Sequence, residues 1–166
     1  MLHLKTSAGE RLEIPASCIT AVMKPCDGAN PCAIIFDMGA GAQIDQLSDQ
    51  YGFVKKAVID SMGIINPVEL RIIEQIRVGE GDDIVVAHKE GRVFISRERI
   101  EGRREVKDDP NGVRAKLFAN LFNQPGKTTP INVADTLDEI DGLDPEEAPA
   151  KAAPQVIAKP IVQKGE

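Results

Sequence analysis

The chain has 166 residues, 42% of them hydrophobic and 28% charged, with 20 Lys+Arg against 26 Asp+Glu for a formal net charge of -6. No apolar run approaches the roughly 18 residues a membrane-spanning helix requires, and the apolar content is too high for a wholly disordered chain. With five Phe, one Tyr and no Trp, a core must be built mainly from Ile, Val, Leu and Ala, and the length suits one domain plus a tail.

Taken in chain order, Leu2-His3-Leu4-Lys5 and Arg11-Leu12-Glu13-Ile14 alternate apolar and polar about a Ser7–Glu10 turn, which predicts a hairpin that Pro15 ends. Ile19 to Val22 is a third strand, and Cys32 to Phe36, the most apolar run, a central one. Gly39 and Gly41 allow a reversal into Ala42 to Asp45. From Ser48, read as an N-cap, the period becomes helical, with Tyr51, Val54, Val58 and Met62 on one face of a helix over 50–61. Asn66-Pro67-Val68-Glu69 has the form of a helix start, with Ile72, Ile73 and Ile76 inward, although its β-branched content leaves a strand open. Asp83 to His88 and Arg92 to Ser96 flank Lys89-Glu90-Gly91 as a second hairpin, and Val113 to Asn123 reads as a helix burying Leu117, Phe118, Leu121 and Phe122. The stretch from Gly9 to Ile19 is similar to that from Gly91 to Ile100: each runs from a glycine through a strand to an Ile and reaches another Ile five positions on. That suggests a strand followed by one helical turn, with shared local geometry preferred to duplication.

The last 39 residues carry 3 basic and 8 acidic side chains, so most of the net charge lies there, and Ala148 to Ile161 is rich in Pro and Ala. The fold expected is therefore α+β. It comprises a small twisted antiparallel sheet with a packed helix over 1–65, a helix, hairpin and helix over 66–127, and an acidic then Pro/Ala-rich flexible tail over 128–166.

Phe36-Asp37-Met38-Gly39-Ala40-Gly41-Ala42 resembles the Asp-Thr/Ser-Gly-Ala loop of retroviral-type aspartic proteases. The resemblance implies one carboxylate per copy and a dimer to supply the second. It covers about seven residues, Met38 stands where the family has a hydroxyl, and no second family segment follows, so a glycine turn with a solvated Asp37 is preferred. The same glycines lack the third of a dinucleotide fingerprint, and Gly79 to Asp83 lacks the alternating carboxylates of a calcium loop. Cys18, Cys26 and Cys32 are spaced unlike zinc ligands, and their odd number suits a reducing compartment. Met1 to Thr6 does not read as a secretory signal, so a cytoplasmic location is expected.

Arg97, Arg99, Arg103 and Arg104 are candidate nucleic-acid contacts, but Glu98, Glu101 and Glu105 interleave with the basic residues. Val133, Leu137, Ile140 and Leu143 form a helical stripe among acids, the form of a segment that folds into a partner's groove. The function expected is that of a non-enzymatic interaction or assembly protein, an accessory subunit or a virion- or phage-type structural component. It would use its folded domain and its acidic C-terminal tail to bind protein partners or copies of itself, with no cofactor, metal or membrane. A nucleic-acid accessory protein and an aspartic hydrolase are the alternatives.

Overall fold

The computed structural model describes residues 1–143. The hairpin of β1 (Leu2–Lys5) and β2 (Arg11–Ile14) buries Leu2, Leu4 and Ile14, and Gly9 turns it at φ +89. Pro15 leads into a 3₁₀ turn, Ala16–Cys18, that delivers buried Ile19 into β3 (Ile19–Lys24). Then come β4 (Cys32–Asp37), β5 (Ala42–Leu47) and α1 (Tyr51–Asp60). The helix buries Tyr51, Val54 and Val58 as its period requires, but Met62 lies outside it and is exposed. Ser48 is not its cap: the N-cap is Gln50, and the Ser48 amide instead donates to the Lys5 carbonyl.

The second half corrects the expected α+β class, because the described residues are 47% strand and only 16% helical. Residues 67–78 are a strand, β6 (Pro67–Val78), not a helix. Asn66 sits at φ +51, which interrupts any helical start, and Val68, Leu70 and Ile72 alternate into the core. Lys89-Glu90-Gly91 is not a turn, since β7 (Val85–Ser96) runs straight through it and pairs with β6 along its whole length. Gly91 serves a close backbone approach instead: a Cβ there would lie 2.3 Å from the Lys24 carbonyl oxygen. The actual reversal is at Gly79 (φ +116) and Gly81 (φ +58). A 3₁₀ turn, Arg97–Arg99, leads to β8 (Ile100–Glu105). The helix expected over 113–123 is β9 (Ala115–Ala119), whose alternation buries Ala115, Leu117 and Ala119. Residues 128–143 are not tail, because β10 (Thr129–Val133) pairs with β9 and touches β6, and α2 (Leu137–Ile140) follows it. The rest of the expected tail, 144–166, lies outside the described residues. No helix among the described residues is long and apolar enough to cross a membrane.

The strands form an antiparallel sheet in the order β5-β4-β3-β7-β6-β10-β9-β8, with β1-β2 as a separate pair. A bridge between Thr6 and Leu47 ties β1 to β5, so the first half runs β2-β1-β5-β4-β3 and the second β7-β6-β10-β9-β8. These are the same arrangement. Ser48 and Ala134 each donate a backbone N–H to the carbonyl of the corresponding strand residue, Lys5 or Arg71, at 2.9 and 2.8 Å. One step on, Asp49 and Asp135 accept from the amides of the same Lys5 and Arg71, both at 2.7 Å. The β3–β4 ladder shifts register between Ile19 and Ala21, and the β8–β9 ladder shifts between Ile100 and Gly102. Each half also has its own core: Leu4, Ile34, Leu47 and Val54 in the first, Leu70, Leu117, Val133 and Ile140 at the matching places in the second. The similarity of 9–19 to 91–100 is thus one part of a match that spans both halves. Pairing of β3 with β7 joins them, Phe94 entering the first core while Ala21 and Ile35 enter the second.

Candidate functional site

A dense polar cluster joins side chains of α1, β6 and β7. Glu69 Oε2 accepts from the Tyr51 hydroxyl at 2.6 Å and from Lys55 Nζ at 2.8 Å, while Oε1 accepts from Arg92 at 3.2 Å. Lys55 also lies 5.8 Å from the ring centres of Tyr51 and Phe94. Partial burial opposes ionisation of Glu69, but the bonds from Lys55 and Tyr51 and the charges of Lys55 and Arg92 outweigh it, holding the carboxyl below its usual range. Burial first, then the Glu69 bond, pushes the Tyr51 phenol up, so it stays a donor. All three donors converge on one acceptor, which gives the cluster the form of a clamp between helix and sheet. Because the folded pKa of Glu69 is depressed, its contribution is full above the ordinary Glu value of about 4.3 and is lost as pH falls through the lower folded value. Urea midpoints measured between pH 6 and 3 should fall less steeply for Glu69→Gln than for the parent; equal slopes would contradict the assignment.

The candidate basic residues are not gathered into a groove. Arg97 donates to the Ile140 carbonyl, and Arg99 donates to Asn120 O at 2.9 Å and Asn123 Oδ1 at 2.8 Å. Arg103 holds both Asp141 oxygens at 2.6 and 3.3 Å. Arg104 projects from β8 into solvent. Asp37, at the end of β4, accepts from Asn123 Nδ2 at 3.0 Å and from the Gly39 amide at 2.8 Å, and these two bonds, Asn123 foremost, hold its carboxyl below the usual range. Here Asp37 links the halves, as does Thr20, whose buried hydroxyl donates to the Leu121 carbonyl at 2.8 Å.

The proposed apolar stripe also divides. Val133 and Ile140 are buried in the second core, Leu137 packs against it half-buried, and Leu143 is exposed. The helix is fixed by a capping box between Thr136 and Glu139, and Asp135 holds Arg71 through both its backbone amide and Nε. These side chains complete the chain's own fold, so Val133 and Ile140 are not available to a partner. The thiols of Cys26 and Cys32 are pushed up to about 12, chiefly by burial, which keeps them protonated and weakly nucleophilic. Among the described residues no group of three His, Cys, Asp or Glu side chains is placed to hold a metal ion.

A feature without a sequence signal is the length of the β6–β7 ribbon. Beyond Ile72 and Gly91 its six outer pairs, from Ile73–Glu90 to Val78–Val85, have no strand neighbour on either side among the described residues. Its tip exposes Val78, Ile84, Val85 and Val86. At its base an apolar groove of about 410 Å³, lined by Met23, Ile35, Ile44, Ile72, Val93 and Ile131, runs along the joint of the halves. No family model matches the chain, and no curated protein or solved structure matches it significantly.

Proposed function

We propose that this is a non-catalytic interaction or assembly protein whose folded part docks on protein partners. The observation that supports this most is the β6–β7 arm. A two-stranded ribbon is marginal in water by itself, and apolar side chains grouped at its tip favour a surface that covers them. The polar clusters favour the same reading, since Glu69, Arg71, Arg97 and Arg99 are spent on internal bonds. The partner-binding role first assigned to 133–143 moves to this arm. Nucleic-acid binding gains nothing from the placement of the arginines. The test is the size of the complex the protein occupies in extracts of its native source. The parent should elute in a larger assembly, and Val78→Asp/Val85→Asp, which leaves the core untouched, should elute at a smaller size, without the partners the arm holds. A free parent, or a variant that elutes at the parent's size, would overturn the proposal.

A further inference from the structure

We propose that copies of this chain associate head to tail, the free edge of β8 in one copy pairing antiparallel with the free edge of β2 in the next. The register is the one that joins β3 to β7 inside the chain. This builds on the assembly reading and commits to the partner, a second copy.

The two halves are equivalent, and the joint between them is not symmetric: β3 of the first half meets β7, the second-half counterpart of β2. The structure therefore leaves two complementary edges unpaired among the described residues. One is β2, which pairs only with β1; the other is β8, the counterpart of β3, which pairs only with β9. A joint of this heterologous kind repeats whenever a second copy offers the same edges, and gives rings or open chains. The internal joint sets Ala21 opposite Ile95, Val22 opposite Phe94, Met23 opposite Val93 and Lys24 opposite Arg92. Carried to the free edges, the same register sets Gly102 opposite Ile14, Arg103 opposite Glu13, Arg104 opposite Leu12 and Glu105 opposite Arg11.

Charge then selects that register. In place of the apolar pair Val22–Phe94 stands Arg103–Glu13, and the neighbouring pair on the same face is Glu105–Arg11, so both cross-strand pairs are of opposite sign. Sliding the strands by two residues one way brings Arg103 onto Arg11 and Glu101 onto Glu13. Sliding two the other way brings Glu105 onto Glu13 and Lys107 onto Arg11. Both alternatives set like charges together. Charged edge strands commonly discourage indiscriminate pairing, and this pattern disfavours both neighbouring registers of the β8–β2 pair. The side chains concerned are accessible: Arg11, Glu13, Arg103 and Glu105 are all exposed. Arg103 spends two of its donors on Asp141, and a guanidinium has five.

Sedimentation velocity of the full chain over a wide concentration range tests this. The average mass should rise with concentration and fall with added salt. Arg103→Glu and Glu13→Arg should each weaken association by roughly fivefold to tenfold, and the two together should restore most of it. Arg11→Glu with Glu105→Arg gives a second swap that leaves the Arg103–Asp141 pair intact, and circular dichroism checks that each variant folds. A chain that stays monomeric at every concentration, or self-association that the folded charge variants leave unchanged, would overturn the proposal. A monomer that still enters a larger native complex through the β6–β7 tip would defeat head-to-tail pairing alone, whereas loss of that complex as well would defeat the assembly reading.

Discussion

A chain ending at Lys127 is expected to lose the fold of its second half. Residues 128–143 supply Val133, fully buried between β9 and β6, and Ile140, the buried residue of α2. Each such side chain contributes about 1.5–3 kcal/mol by burial. The truncation also strips the Arg71 amide and guanidinium of Asp135 and exposes the edges of β6 and β9. Together these losses are comparable with the ~5–15 kcal/mol that holds a typical domain folded. Amide exchange should show Leu70, Val93 and Leu117 unprotected in the truncated chain, with residual protection confined to Ile34, Val54 and their neighbours. A truncated chain with the parent's melting temperature would show that 128–143 is an appendage after all.

Ile34→Ala and Leu117→Ala should each destabilise the protein by about 2–5 kcal/mol, since both side chains are fully buried and leave a cavity. They occupy matching positions in β4 and β9 but belong to separate cores. Changes without shared partners add to within a few tenths of a kcal/mol, so the double variant should lose the sum in equilibrium urea unfolding. A double variant losing much less than the sum would mean that the two sites share one core.

The first half was legible because its local signals and its tertiary environment agree. Alternation in 2–5 and 11–14, the stop at Pro15 and the apolar run 32–36 all survive in the fold. In the second half, local signals pointed elsewhere. Asn66-Pro67 with Glu69 imitates a helix start, yet Asn66 adopts a left-handed conformation and Glu69 is held by α1. Leu117, Phe118, Leu121 and Phe122 have helical spacing, but two of them belong to a five-residue strand and two to the loop beyond it. Gly91 looked like a turn because glycine permits one, whereas here it permits the Lys24 carbonyl to approach. The acidic, apolar stripe after 131 was seen, but a strand and cap packed on the chain's own core present the same pattern as a partner-binding helix. The repeat is legible in sequence mainly between 9–19 and 91–100; elsewhere the halves share buried positions and hydrogen bonds but few identical residues, Leu4 and Leu70 or Asp49 and Asp135 among them. The Glu69 cluster joins side chains from α1, β6 and β7 and has no local signature at all.

One arrangement of five strands occurs twice and is joined through β3 and β7. Cross-strand nuclear Overhauser contacts in the full chain test it most directly. Contacts are expected between Thr6 and Leu47, between Ile72 and Val133, and between Val22 and Phe94. A spectrum with the first and third but no contact between Ile72 and Val133 would contradict it, because the second half would then lack the closure that makes it equivalent to the first.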